Sequence, residues 1–312
     1  MKIVFAGTMD EADAARWREA LSQACPGVDW ITDFGPGTHA DAAVVANPAP
    51  GALTGLRGLR LIQSLWAGVE RLLGDPTLPP GVPLARMVDP QMSAAMAQTA
   101  LWATLSLHRG FFEYAAQQRR SVWQQHRQKR AEEIRVLVLG LGAIGAVVAA
   151  RLAAQGYAVT GWRASPGGRP APDGVTAVVG DAALRQVLPQ AQVVINLLPL
   201  TPTTRGLLDA AFFAAMTPGA GLVNLARGAH VVEADLLAAL DHGPLRHAVL
   251  DVFNTEPLPA DHAFWQHPHL TLLPHTAALT DHRSAAQVVA ANLQRLQRGE
   301  ALQHLVDRGR GY

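Results

Sequence analysis

The chain has 312 residues, of which 49% are hydrophobic and 16% are charged. That composition is too apolar for a disordered chain, and 28 glycines and 21 prolines without a repeating period exclude a collagen-like one. A formal net charge of +1 excludes the strong positive field with which proteins bind nucleic acids or anionic membranes. About two globular domains and a small neutral or anionic ligand are therefore expected.

Targeting, redox and metal signals are weak. The apolar run at the start is too short for a signal peptide, and no apolar run reaches the about 20 residues of a membrane helix. The single cysteine, Cys25, cannot form an intramolecular disulfide, which fits a reducing compartment. The 12 histidines show no HExxH or paired cysteine and histidine spacing. We expect a cytoplasmic protein with no metal, no nucleic-acid partner and no membrane association.

The first part of the chain alternates between strands and a helix. Apolar runs predict three strands, at residues 3–7, 42–46 and 60–64. One amphipathic pattern predicts a helix at residues 10–24. This alternation is typical of an α/β domain with a parallel sheet. A proline-rich loop at 74–90 follows. Residues 93–128 then have helical spacing, interrupted at Gly110, which predicts one long helix or two shorter ones bridging two domains.

Beyond residue 130 the chain reads as repeated βαβ units. The predicted strands are 134–139, 157–162, 175–179, 192–197, 221–225 and 246–252, and the predicted helices are 144–155, 181–188, 233–241 and 281–298. Units of this length are typical of a doubly wound parallel sheet.

A glycine-rich turn follows the first of these strands directly. It matches the GxGxxG pattern with Gly140, Gly142 and Gly145, and Ala143 and Ile144 lie between the last two glycines. The first glycine permits a tight turn, the second lets the backbone approach a pyrophosphate, and the third lets the helix pack on the strand. Because a strand precedes the turn and a helix follows it, we predict a dinucleotide site here.

The residue that contacts the adenosine ribose should lie about 20 residues beyond the start of this turn. No carboxylate occurs there before Asp173, and Arg163 and Ser165 could instead bind a 2′-phosphate. The pattern favours NADP over NAD. Arg163 could alternatively be an ordinary surface arginine, and Arg169 is either a third phosphate contact or a solvated loop residue.

Three segments with polar residues follow apolar runs later in the chain. Arg227 lies in NLARG, Asp251 and Glu256 lie in LDVFNTEP, and His275 lies in LLPHTA. Reduction of a 2-oxo acid needs a cation for the carboxylate and carbonyl, a proton donor near neutral pH, and an anion that orients the donor. An arginine, an acid and a histidine supply this set.

These motifs resemble those of the D-isomer-specific 2-hydroxyacid dehydrogenase family. The match runs through GLGAIG, INLLPLTPTTRGLL, NLARG, LDVFNTEPLP and LLPHTAA. The segments 224–245 and 306–312 are similar to those of bacterial glyoxylate/hydroxypyruvate reductases of the A type. The resemblance implies reduction of glyoxylate and hydroxypyruvate, and the residues Arg163 and Ser165 favour NADPH as the reductant. Other D-2-hydroxyacid dehydrogenases, with lactate- or phosphoglycerate-type substrates, share every motif, and a dinucleotide-sensing binding module is an alternative of another class.

Residue roles follow from the resemblance. Arg227 binds substrate, His275 is the general acid, and Glu256 pairs with it. Asp251 holds the nicotinamide side, or is a capping or loop carboxylate. The remaining expected lining of the cofactor cleft is Leu198, Pro199, Ala226 and Ala277.

The implied fold has two Rossmann-like α/β domains and forms a homodimer. Residues 1–97 and 281–312 form a flavodoxin-like substrate domain, into which the NADP-binding domain, 98–280, is inserted. Aromatic residues of the helical segment are expected to pack between subunits or domains rather than on a ligand: Trp102, Phe111, Phe112, Tyr114 and Trp123.

Residues Trp66, Ala67 and Gly68 resemble the loop whose N–H groups bind the substrate carboxylate. The sequence departs from the family pattern here, since Trp66 replaces a small residue and Glu70 replaces an aspartate. The tryptophan either lines the floor of the substrate pocket or belongs to the core.

Overall fold

The computed structural model describes residues 1–167 and 169–312. They form two compact units, one of Met1–Met92 with Thr280–Tyr312 and one of Ser93–Leu279. The domain boundaries predicted near residues 98 and 281 differ from this division by a few residues. The difference at the first boundary arises because a single helix, Pro90–Arg109, continues through it.

Strands and helices alternate along most of the chain. The strands are β1 (Lys2–Gly7), β2 (Asp29–Ile31), β3 (Ala42–Ala46), β4 (Ile62–Ser64), β5 (Leu84–Ala85), β6 (Arg135–Leu139), β7 (Ala158–Arg163), β8 (Val175–Val179), β9 (Val193–Asn196), β10 (Ala220–Asn224), β11 (Leu245–Leu250) and β12 (Leu270–Leu272). The helices are α1 (Glu11–Ala24), α2 (Glu70–Leu73), α3 (Pro90–Arg109), α4 (Phe111–Arg119), α5 (Ala143–Ala153), α6 (Gly180–Val187), α7 (Ala210–Ala214), α8 (Glu233–Asp241) and α9 (His282–Arg298).

The first unit is built on a five-stranded parallel sheet in the order β2-β1-β3-β4-β5. This is the flavodoxin-like order that the family resemblance implies. Every residue of β3 is buried, which is typical of a central parallel strand covered on both faces. Helix α9 packs against α1, and an antiparallel bridge between Ala85 and Leu305 ties the C-terminal segment to the sheet edge.

The second unit has a seven-stranded parallel sheet in the order β12-β11-β10-β9-β6-β7-β8. Its strand order reverses between β6 and β9, where doubly wound sheets bind ligands. Successive residues of β6 face two separate hydrophobic clusters, Leu137 and Leu139 on one side and Val136 and Val138 on the other. Both faces of the sheet are therefore covered, and the predicted doubly wound fold is confirmed.

The helical segment is shorter than the sequence predicts. Helix α3 ends before Gly110, which adopts the left-handed conformation (φ 71°), and α4 follows it, so two helices form. The prediction of helix to residue 128 is wrong beyond Arg119, because residues 122–130 have no regular structure and are all exposed. This stretch is mostly polar, and its two apolar residues, Val122 and Trp123, are adjacent in sequence and do not recur at the spacing of a helical face. Within residues 1–167 and 169–312, no helix is both long and apolar enough to span a membrane.

A buried histidine couples the stability of the second unit to pH. His247 on β11 stacks on Phe112 of α4, with 4.2 Å between ring centroids, and its Nε2 lies 2.9 Å from Thr271 Oγ1. Burial, aided by the neighbouring His269 and Arg246, lowers the pKa of His247 to about 4. Between this value and the unfolded value of about 6.5, only the unfolded chain binds the proton. Stability therefore falls as the pH drops through that window.

We expect His247→Gln to reduce this acid sensitivity. The wild-type protein should lose about 2 kcal/mol more unfolding free energy between pH 7 and pH 5 than the variant, whose amide does not titrate. Urea unfolding of both proteins at the two pH values measures the difference. An equal loss in both would show that His247 does not carry the effect.

Candidate active site

Three neighbouring strands of the second unit end in loops that carry polar residues. Strands β10, β11 and β12 are adjacent and parallel, so the loops after them meet at one edge of the sheet. The loops contain Arg227, Glu256 and His275, respectively. Residues far apart in the sequence thus share the edge at which such sheets bind ligands.

His275 and Glu256 form a hydrogen-bonded pair. His275 Nδ1 donates to Glu256 Oε2 over 2.7 Å, and the other carboxylate oxygen accepts from the N–H of Phe253 at 2.9 Å. The His275 side chain is 52% exposed. Because the carboxylate engages Nδ1, Nε2 is the ring nitrogen left for a substrate. General acid catalysis requires an imidazole that is held and oriented in this way.

Asp251 fixes the backbone of the histidine loop. Its side chain is buried, and Oδ1 accepts from the N–H groups of Thr276 at 2.7 Å and Ala277 at 3.0 Å. The carbonyl oxygen of Asp251 also accepts from the N–H of His275. Burial raises the pKa of Asp251, and the two N–H bonds counteract this rise. These bonds hold His275 in its left-handed backbone conformation. The predicted contact of Asp251 with the nicotinamide side stays a prediction.

Two buried asparagines shape the arginine loop. Asn224 Oδ1 accepts from Asn196 Nδ2 at 3.0 Å, and Asn224 Nδ2 donates to the carbonyl oxygen of Arg227 at 3.0 Å. Arg227 itself is partly exposed, and its Nη1 donates to the carbonyl oxygen of Ala226. Neither asparagine was predicted from the sequence, although each is the last residue of an apolar strand, and that position was the available signal.

The arginine loop packs directly against the loop that carries Glu256. A Cβ atom added to Gly228 would lie 1.9 Å from the carbonyl carbon of Phe253, so no larger residue fits. The backbone segments that carry Arg227 and Glu256 are therefore in contact. Together with the His275–Glu256 bond, this contact brings the three predicted catalytic loops into one cluster.

The glycine turn fits a dinucleotide pyrophosphate. A Cβ on Gly145 would lie 1.8 Å from the carbonyl oxygen of Gly140, so α5 packs tightly against the turn. A Cβ on Gly142 would meet no atom of the described residues within 4 Å, which leaves this backbone open to a ligand. The turn ends at Ala143 and Ile144, the first residues of α5, whose N–H groups have no partner within the helix. The structure thus provides the features expected of a phosphate cradle.

The segment after β9 borders this turn. The Leu198 side chain would lie 3.3 Å from a Cβ on Gly140. The N–H of Leu198 donates to Asn196 Oδ1, and the carbonyl oxygen of Pro199 accepts from Thr204 Oγ1 at 2.7 Å. Leu198 therefore lies beside the predicted cofactor site, and Pro199 follows it in a hydrogen-bonded loop.

Arg163 is at the end of β7, next to the glycine turn in the sheet. Its Nη1 donates to the carbonyl oxygen of Gly167 at 2.7 Å and its Nη2 to that of Arg169. Its Nε is buried and has no hydrogen-bond partner among the described residues. Ser165 and Arg169 are exposed. To bind a 2′-phosphate, the guanidinium would have to release these carbonyl oxygens. The role of Arg163 in binding the phosphate stays a prediction.

The predicted substrate loop lies in the first unit, directly after β4. Trp66 is half-buried, and its ring packs edge-on against the buried Trp17, with centroids 6.2 Å apart. Among the residues that the structure describes, the backbone N–H groups of Ala67 and Gly68 have no hydrogen-bond partner. Two consecutive unpaired N–H groups are suited to bind a carboxylate.

Comparisons with known proteins identify the family. A model described as "D-isomer specific 2-hydroxyacid dehydrogenase, NAD binding domain" matches residues 101–277. Glyoxylate/hydroxypyruvate reductase A of Serratia proteamaculans (strain 568) is 40% identical over 307 residues, which cover 96% of this chain and 97% of that protein. The chain belongs to the D-isomer specific 2-hydroxyacid dehydrogenase family. The predicted resemblance is confirmed.

Solved structures of this dehydrogenase family share the whole fold. One from Xanthobacter autotrophicus Py2, in complex with NADPH and MES, is 37% identical with a TM-score of 0.93 and covers 100% of this chain and 99% of its own. An NADPH-dependent glyoxylate/hydroxypyruvate reductase from Sinorhizobium meliloti, in complex with NADP and sulfate, is 33% identical with a TM-score of 0.90 and the same coverage. Both carry a cofactor of the predicted class.

Metal-binding clusters are absent from the described part of this dehydrogenase. No group of three or more histidine, cysteine, aspartate or glutamate residues there could hold a metal ion.

Proposed function

We propose that the protein reduces small 2-oxo acids, glyoxylate and hydroxypyruvate among them, with NADPH as the reductant. The observation that carries this proposal is the His275–Glu256 hydrogen bond of 2.7 Å, on the sheet edge that also bears the glycine turn. The relatives named for glyoxylate and hydroxypyruvate reduction support the choice of substrate.

Each residue contributes a separate step of recognition or proton transfer. NADPH, when bound, supplies the hydride that goes to the carbonyl carbon of the substrate. Arg227 polarises the substrate carbonyl, and the N–H groups of Ala67 and Gly68 bind the substrate carboxylate. As negative charge develops on the carbonyl oxygen, His275 donates the proton on Nε2 to it. Glu256 stabilises the charged imidazole before the transfer and orients it.

NADPH is preferred to NADH because the end of β7 carries Arg163 and no carboxylate. A carboxylate there would repel a 2′-phosphate, whereas Arg163 and Ser165 can donate hydrogen bonds to it. Trp66 contributes a fixed wall of the substrate loop, since its ring packs on Trp17.

One spectrophotometric experiment tests the function. Absorbance at 340 nm is followed with NADPH or NADH in the presence of glyoxylate, hydroxypyruvate or pyruvate. Oxidation of NADPH with the first two acids supports the proposal, and faster oxidation of NADH would contradict the assignment of Arg163. If no acid is reduced, the chain is better explained as a dinucleotide-sensing protein that keeps the fold.

We also infer that the protein works as a homodimer. Large apolar side chains are exposed on α3, α4 and the stretch after them: Trp102, Phe111, Val122 and Trp123. Trp123 is 96% exposed, and a set of exposed apolar residues marks an interaction surface. Light scattering at micromolar protein should give twice the mass of one chain. Trp123→Ser should shift the mass toward that of a single chain, and a monomeric wild-type protein would contradict the inference.

A further inference from the structure

The backbone of Trp66 is held by a buried serine. Ser64, the last residue of β4, is fully buried, and its Oγ accepts from the N–H of Trp66 at 3.0 Å. The same hydroxyl donates to the carbonyl oxygen of Trp66 at 3.1 Å, and the N–H of Met87 donates to this oxygen at 3.0 Å. Both backbone polar groups of Trp66 are thus occupied within the first unit.

The side chain of Trp66 is anchored as well. Its ring packs edge-on against Trp17, which is 1% exposed. Trp17 in turn packs on the ring of His282, at 4.6 Å between centroids, and His282 Nε2 lies 2.8 Å from Asp13 Oδ1. This chain of contacts joins the loop to α1 and α9, so neither the backbone nor the ring of Trp66 can turn independently.

The two residues after Trp66, in contrast, have backbone N–H groups that remain available to a ligand. The N–H groups of Ala67 and Gly68 are without hydrogen-bond partners among the described residues, and both residues are partly exposed. The carbonyl oxygen of Trp66 and the N–H of Ala67 belong to one planar peptide group, so the bonds to that oxygen also set the direction of this N–H. The bonds to Trp66 therefore restrict where the free N–H groups can point.

We propose that Ser64 is a positioning residue for substrate binding, whose hydroxyl presets the Ala67 and Gly68 N–H groups to bind the carboxylate of a 2-oxo acid. This inference rests on the proposed function and assigns a role to a residue outside the catalytic set. Preset donors bind an anion more tightly than mobile ones because less freedom is lost on binding. Ser64 acts through the loop and does not touch the substrate.

The role predicts a specific pattern of kinetic change. A carboxylate contact is made in both the bound substrate and the transition state, so its weakening raises KM and leaves kcat nearly unchanged. Ser64→Ala should raise KM about tenfold, the cost of roughly one or two hydrogen bonds. The factor should be the same for glyoxylate, hydroxypyruvate and pyruvate, since all three carry the carboxylate. The KM of NADPH should stay at the wild-type value.

Three further variants separate positioning from loss of folding. Ser64→Thr keeps the hydroxyl and should restore the wild-type KM. Ser64→Cys keeps the size but bonds weakly, and should raise KM by a smaller factor. Ser22→Ala, on an exposed part of α1, is the matched control and should change nothing. Melting temperatures of all four proteins show whether each is folded.

Two results would overturn the inference. One is a wild-type KM for the 2-oxo acids in a folded Ser64→Ala protein. The other is an equal rise of the KM for NADPH, which would indicate general damage. A wild-type protein that reduces no acid removes the proposed function instead. In that case, the affinity for oxalate, measured by quenching of tryptophan fluorescence, still tests the loop. Equal oxalate affinity in wild type and Ser64→Ala would show that Ser64 does not orient the Ala67 and Gly68 N–H groups.

Discussion

Replacing His275 with alanine is expected to lower kcat for glyoxylate reduction by a factor of about 10² to 10⁴. The imidazole is the only group in the proposed mechanism that delivers a proton to the carbonyl oxygen, and its Nε2 is the nitrogen that Glu256 leaves available. The glycine turn lies after β6, and the substitution does not alter it. Binding of NADPH, measured by nucleotide fluorescence, should therefore be retained.

Two companion variants sharpen this test. Glu256→Gln keeps the size of the side chain but removes its charge, and should lower kcat by less than His275→Ala does. His242→Ala changes an exposed histidine at the end of α8 and should leave kcat unchanged. Wild-type turnover by the His275→Ala protein, with NADPH bound, would remove His275 from the mechanism.

Patterning predicted the fold well wherever strands are long and buried. Strands such as β3 and β6 are continuous apolar runs, and a run of that kind cannot be exposed without a large loss of hydrophobic stabilisation. The strands β2, β5 and β12, which have only two or three residues, were missed, because segments that short have no period to detect. Their place in the sheet depends on contacts with distant parts of the chain.

The candidate site was predictable in its residue types but not in its supporting contacts. Polar residues at the ends of parallel strands pointed to Arg227, Glu256 and His275. The bonds that orient them could not be derived, since Asp251 binds the backbone of residues 276 and 277 and Asn224 binds Asn196. Such pairs are set by the register of neighbouring strands, which a single sequence does not encode locally.

For Arg163 too, the type of residue was predictable from the sequence but its contacts were not. The absence of a carboxylate at its position predicted a preference for NADP. The bonds of its guanidinium to the carbonyl oxygens of Gly167 and Arg169 were not predictable, because they depend on the path of the loop. The predicted binding of the 2′-phosphate by Arg163 would therefore compete with these contacts within the loop, and the type of residue alone does not reveal that competition.

Arg227→Lys is expected to lower kcat/KM for glyoxylate by about 10² to 10³, the range found when a donor to a developing oxyanion is removed. Lysine keeps the positive charge, but a single ammonium group cannot reproduce the planar, forked set of donors of a guanidinium. The comparison therefore separates the geometry of the cation from its charge. Steady-state kinetics at saturating NADPH measures the loss.

The backbone contacts that shape the arginine loop should survive this substitution. The bond from Asn224 Nδ2 goes to the backbone carbonyl oxygen of Arg227, and Gly228 packs on the backbone beside Phe253, so neither contact depends on the substituted side chain. Arg205→Lys, at an exposed position of the same unit, is the control and should keep wild-type kinetics. If Arg227→Lys matched this control, charge alone would suffice, and the carbonyl of the substrate would need no forked donor.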